Sequence, residues 1–129
     1  QGIIRKKRQG KMNLILIELN RENRKVFYLK RIENLKLIHE IGLSDFLEEN
    51  FPGTTIILFG SYSRGEDTMK SDIDIAIIGT TEKNIDLKIF GKSLEREIII
   101  NFYKNWKEIH KDLKDNILNG ILLSGSVDL

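Results

Sequence analysis

Apolar positions along this chain change their spacing twice, and each change marks a change of element. Ile3–Lys7 and Met12–Leu19 are short apolar, β-rich segments on either side of "RQGK". Gly10 can supply the positive φ of a tight turn there, so the pair predicts a β-hairpin with a basic tip of Arg5, Lys6, Lys7, Arg8 and Lys11. Val26, Leu29, Ile32, Leu35 and Ile38 then recur at threes, supported by Phe27 and Ile41, which predicts an amphipathic helix ended by Gly42. Ser44 is placed to N-cap a short helix reaching Asn50, where "FPG" stops it. From Thr54 the pattern becomes that of buried strands: "TTIILFG" to Gly60, "SDIDIAIIG" after a turn and short helix, and "REIIINFY" after a mixed connection. "NWKEIHKDLKDNILNG" predicts one helix closed by Gly120, and "ILLSGSVDL" a final short strand. The expected fold class is α+β: a small mixed sheet flanked by helices, preceded by a β-hairpin and a helix. The expected organisation is residues 1–42 as hairpin plus linker helix and 43–129 as the main domain.

Composition narrows the class of protein. Apolar residues make up 40% and charged residues 31% of the 129 positions, which suits a globular domain. The absence of cysteine removes disulfides, thiolate metal sites and a cysteine nucleophile. No apolar run approaches the roughly 18 residues of a membrane helix, and "QGIIRKKRQG" lacks the features of a signal peptide, so a cytoplasmic location without membrane attachment is expected. A chain opening on Gln1 is expected to have residues upstream. The net charge of +2 hides an asymmetry: residues 1–40 carry 11 Lys/Arg against 4 Asp/Glu, and residues 41–129 carry 10 against 15. A basic head on an acidic body suggests two tasks.

The second strand poses a chemical question. Asp72 and Asp74 alternate with Ile73, Ile75 and Ile77, so both carboxylates share one face, about 6–7 Å apart along the strand. Two carboxylates so placed can converge on a hard divalent cation such as Mg²⁺, which takes one or two protein carboxylates and leaves positions for water and phosphates. A solvated strand end is the bland alternative. Gly60 and Ser61 change the balance, because the turn into a helix presents free N–H groups, the Gly60 backbone can be approached closely, and Arg64 lies one turn on.

Ser61 and Asp72 are ten residues apart in the pattern G-S-x10-D-x-D, and "LFGSYSRG" followed by "SDIDIAII" resembles the DNA polymerase β-like nucleotidyltransferases. The resemblance is strongest over Thr54–Tyr103, and the short domain is similar to the minimal nucleotidyltransferases of prokaryotes. It implies a nucleotidyltransferase fold and transfer of NMP from a nucleoside triphosphate, with ATP as substrate and two Mg²⁺ ions. It also implies that Gly60, Ser61 and Arg64 contact the nucleotide, and that Asp72, Asp74 and a third carboxylate on the following strand are catalytic metal ligands. The family often has Asp at that third position; here the candidate is Glu97, with Glu95 as the alternative. Small members of the family often act as antitoxins that adenylylate a tyrosine of a HEPN-type toxin ribonuclease, which gives one expected partner.

The remaining features point elsewhere. The hairpin and "VFYLKRIENLKLIHEIGL" resemble the tail of a winged-helix module fused to archaeal nucleotidyltransferases, which implies DNA contact through the basic hairpin of a longer chain. A DNA-binding transcriptional regulator using the same fold as a sensor is therefore the alternative function. A small-molecule nucleotidyltransferase is disfavoured by the lack of a substrate domain, unless an oligomer supplies it. His39 and His110 lack partner spacing and are expected at surface or helix-end positions. Trp106 is expected in the core rather than under a base.

Overall fold

The computed structural model describes residues 12–129, with side chains from residue 24 onward. A long helix, α1 (Met12–Glu40), leads through a two-residue corner into α2 (Leu43–Asn50). There follow β1 (Thr55–Phe59), a single-turn helix α3 (Ser61–Arg64), β2 (Ile73–Ile78), α4 (Lys88–Leu94) and β3 (Ile98–Tyr103). A 3₁₀ turn (Trp106–Glu108), α5 (Lys111–Leu118) and β4 (Ile121–Ser124) complete the described chain. None of the described helices is long and apolar enough to cross a membrane.

The sheet order is β3-β2-β1-β4, antiparallel except for the parallel β2–β3 pair, so the expected mixed sheet and its three neighbouring strands are present. β1 and β2 are buried on both faces because each face is covered. Ile56, Leu58, Ile73, Ile75 and Ile77 pack with Ile38, Leu43, Leu47, Phe51 and Tyr62 under α1 and α2. Ile57, Phe59, Ala76 and Ile78 pack with Trp106, Ile109 and Ile117 under the 3₁₀ turn and α5. Trp106 is a core residue, and both histidines are exposed, as expected.

Several expectations are corrected. Met12–Leu19 is not the second strand of a hairpin but the first turns of α1. A short continuous apolar run does not distinguish strand from helix by its period. No Gly or Pro interrupts the sequence from Lys11 to Ile41, so helix propagates through it. Ile3–Lys7 and the basic tip residues Arg5, Lys6, Lys7, Arg8 and Lys11 lie outside the described residues. The inward line of α1 also differs from the ladder of threes. Each step of three residues falls about 60° short of a full turn, so Leu29 and Ile32 face outward, 67% and 64% exposed. The packed line runs at fours instead, through Val26, Lys30, Asn34 and Ile38. Ser44 is not an N-cap: Gly42 holds that position and Ser44 is buried in the first turn of α2. The predicted C-terminal helix is split, with Ile109 and His110 extended between the 3₁₀ turn and α5.

Gly65 fixes how α1 sits on the sheet. It closes α3 with φ 71°, in the left-handed region. A Cβ there would collide with the backbone carbonyl of Phe27 and come within 2.7 Å of the Arg31 nitrogen. Backbone cannot swing aside as a side chain can. Gly65→Ala is therefore expected to destabilise the protein by about 2 kcal/mol or more, read as a lower urea midpoint at unchanged slope.

Candidate active site

The site begins at the end of β1, where Gly60 has φ 81° and ψ −166°. That backbone region is essentially closed to residues with a Cβ. It lets the chain leave the strand and enter α3 at once, with Ser61 as the first helical residue. The buried Ser63 hydroxyl donates to the Gly60 carbonyl at 2.7 Å and so braces the corner from beneath. Ser63 is not among the fixed residues of the G-S-x10-D-x-D pattern; its signal in the sequence is a hydroxyl three residues after a strand end.

Asp74 stands opposite Phe59 in the antiparallel register of β1 and β2. Its carboxylate lies against Gly60: a Cβ on Gly60 would be 2.6 Å from Asp74 Oδ2. Asp72 and Asp74 share the sheet face of Ala76 and Ile78, the face that α5 covers, and they occupy its uncovered end. Asp72 is exposed and Asp74 half-buried. Burial, and then the Asp72 charge, push the Asp74 carboxyl above its usual range. A divalent cation between the two carboxylates would relieve both effects, so the pair suits one hard cation with water and phosphate completing its shell.

The other expected residues lie around this pair. Glu97 directly precedes β3, and its carbonyl accepts from the Ile73 nitrogen at 2.8 Å, which sets it beside Asp72 across the parallel pair. Ile99, not a carboxylate, stands opposite Asp74. Among the described residues, no three His, Cys, Asp or Glu side chains gather as a metal-holding group. Glu95 is not on the strand; it terminates α4 with φ 56°. Arg64 is half-exposed and spans from α3 to α5, with Nε donating to Glu66 Oε1 at 2.9 Å and Nη1 to Asn116 Oδ1 at 3.3 Å.

The segment between the corner and the aspartates has one inward anchor, Asp67, whose side chain is 1% exposed. Asn34 donates to its Oδ1 at 2.9 Å, and Arg96 Nη2 pairs with its Oδ2 at 3.0 Å. Lys30 lies 3.3 Å from Oδ1 and donates to the Asp67 carbonyl. Burial alone would raise the Asp67 carboxyl, but the Asn34 and Arg96 hydrogen bonds and the Lys30 charge outweigh it and hold the group below its usual range. The same network reaches Tyr62, whose carbonyl accepts from Asn34 at 3.0 Å. Burial, with the Asp67 charge second, pushes the Tyr62 hydroxyl up to about 12.

Residues 40–124 match the nucleotidyltransferase domain family. "Putative protein adenylyltransferase MJ0604" of Methanocaldococcus jannaschii is 35% identical over 74 residues, 56% of this chain and 74% of that protein. "Putative protein adenylyltransferase MJ1547" of the same organism is 49% identical over 37 residues, 29% of this chain and 30% of that protein. Among solved structures, a toxin–antitoxin with AMP-PNP aligns at 25% identity over 67% of this chain and 73% of that one, with TM-score 0.49. A mutant MntA–HpeT toxin–antitoxin aligns at 21% identity over 74% and 73%, with TM-score 0.43. At those scores neither structural likeness bears on function. The family match spans well over half of the chain and contains both the Gly60 corner and the aspartate pair, and the chain belongs to the nucleotidyltransferase domain family as a nucleotidyl-transferring enzyme.

Proposed function

We propose that this protein transfers AMP from ATP to a hydroxyl of a partner protein, a tyrosine of a HEPN-type toxin, in a Mg²⁺-dependent reaction. The observation that carries the reading is the seating of the Asp74 carboxylate against Gly60, with Asp72 on the same face. The adenylyl group is supported by the two archaeal relatives, both named as protein adenylyltransferases. The toxin-type acceptor rests on the resemblance of the G-S-x10-D-x-D motif to small antitoxin nucleotidyltransferases.

In this reading Asp72, Asp74 and Glu97 together would hold one cation, and Asp72 and Asp74 a second. Bound Mg²⁺ supplies neutralisation of the triphosphate charge. The acceptor hydroxyl oxygen forms a bond to the α-phosphorus as its proton passes to solvent, the bond from the α-phosphorus to the bridging oxygen breaks, and pyrophosphate leaves. The Ser61 hydroxyl donates to a phosphate oxygen, and the Gly60 backbone lets the triphosphate approach. Little covalent chemistry falls to the protein, so placement of charge dominates the rate.

The test uses ATP labelled on either the α- or the γ-phosphate, with a HEPN-type protein as acceptor. Label from the α-phosphate is expected on an acceptor tyrosine, none from the γ-phosphate, and none after chelation. γ-Label on the acceptor, or transfer that survives EDTA, would sink the proposal. Ser61→Ala is expected to reduce kcat/KM by on the order of tenfold, the loss of one charge-assisted hydrogen bond.

A further inference from the structure

The spacer between Ser61 and Asp72 is tied down from two directions through Asp67. On one side α1 supplies Asn34 and Lys30; on the other, Arg96 reaches in from the residue next to Glu97. Asn34 also holds the Tyr62 carbonyl within α3, so one amide links the single-turn helix to the spacer. Arg96 is committed to this role: Nη2 meets Asp67, Nη1 donates to the Glu95 carbonyl at 3.0 Å, and its buried Nε has no partner among the described residues. Immediately beyond Arg96, the Glu97 carbonyl receives the Ile73 nitrogen. The Asp67–Arg96 pair thus crosslinks the two segments that deliver Asp72 and Glu97 to the same sheet end. Beyond Asp67 the spacer holds itself with a Thr68–Ser71 turn, in which the Ser71 nitrogen donates to the Thr68 carbonyl at 3.0 Å.

We propose that Asp67 and Arg96 are positioning residues for nucleotidyl transfer: their buried ion pair, clamped by Asn34 and Lys30 of α1, sets where Asp72 stands relative to the Gly60 corner and the start of β3. This rests on the active-site reading above. Neither residue touches the reacting groups. Their effect is on geometry, and a displacement of about 1 Å at a phosphoryl-transfer centre is enough to cost about 10²-fold in rate.

A buried pair invites the objection that it only stabilises the fold. Removing one partner leaves an uncompensated buried charge, so Asp67→Asn alone confounds folding with catalysis. Replacing both partners with apolar residues of similar volume usually leaves stability unchanged or higher. The informative variant is therefore Asp67→Leu/Arg96→Met, compared with Arg96→Lys, which keeps the charge but not the two-sided fork. Each is assayed for melting temperature, for nucleotide KM and for kcat, with Asp72→Asn as reference. The expected result for the double variant is a melting temperature near wild type, KM within about threefold, and kcat lower by about 10- to 100-fold, with Arg96→Lys intermediate. If the double variant folds and keeps kcat within about threefold of wild type, the pair is structural only and the proposal falls. If it does not fold, Arg96→Lys decides, its kcat falling by at least about fivefold or the proposal failing. If Asp72→Asn leaves transfer intact, the active-site reading itself fails, an outcome distinct from either of these.

Discussion

Replacing Asp72 or Asp74 with asparagine is expected to reduce nucleotidyl transfer by at least about 10³-fold while leaving the fold in place. Asparagine preserves the shape and the strand register, so the loss would be one of charge at a site where phosphate charge must be matched. Stability moves the other way. The Asp74 carboxyl is raised by burial and by the Asp72 charge. An acid whose folded value lies above its unfolded value works against folding once the pH exceeds both, and that penalty fades as the pH falls through the folded value. Without divalent cation, Asp74→Asn should therefore show a urea midpoint equal to or above wild type at pH 7. The difference should vanish below about pH 3, where both forms of the site are neutral. Mg²⁺ at a hundred times its Kd should add about 2.7 kcal/mol to the wild type and much less to either variant. Transfer within about threefold of wild type in both variants would show that the pair is not catalytic.

Gly60→Ala is expected to be nearly as damaging to activity, for a different reason. The backbone at Gly60 sits where a Cβ costs on the order of 1–3 kcal/mol, and the added methyl would also lie 2.6 Å from Asp74 Oδ2. The clash is with the end of a side chain, so the protein can relieve it by rotating Asp74. That rotation removes the carboxylate from the position it shares with Asp72. The variant should then remain folded, with a midpoint lowered by the backbone strain, but should lose about 10²-fold or more in kcat and respond weakly to Mg²⁺. An alanine variant with near-normal kcat would show that the close approach of Gly60 to Asp74 is incidental.

The part of the site carried by strands was legible in the sequence because two constraints coincide there. Asp72 and Asp74 interrupt a run of isoleucines at the period of a strand, and Gly60 and Ser61 fall where a strand must turn. Both signals are local, and the structure keeps both on one sheet end. The Asp67 network was not legible, because its members are far apart in sequence and each has an ordinary local explanation. Lys30 and Asn34 pass for solvated positions of a helix, Asp67 for a loop charge and Arg96 for a strand-edge charge. The clue was the line at fours on α1, which places two polar residues on the side that also buries Ile38. Met12–Leu19 was misassigned for the opposite reason: its local signal is strong but serves strand and helix equally, and the uninterrupted chain that follows it decides the outcome. That Glu95 closes α4 in a left-handed conformation was not legible either, because a glutamate has no local preference for that backbone.

The strand order also governs when the enzyme can be completed during synthesis. β1, which leads into Gly60, is flanked on one side by β4, a strand made about 60 residues later. At translation rates of about 5–20 residues per second, several seconds separate the two. Over that interval β1 presents an unpaired edge of Thr55–Phe59, among the most apolar segments of the chain. The catalytic corner is encoded near the middle of the chain, but the strand leading into it acquires its second neighbour only when Ile121–Ser124 has been made, so that edge stays open until then.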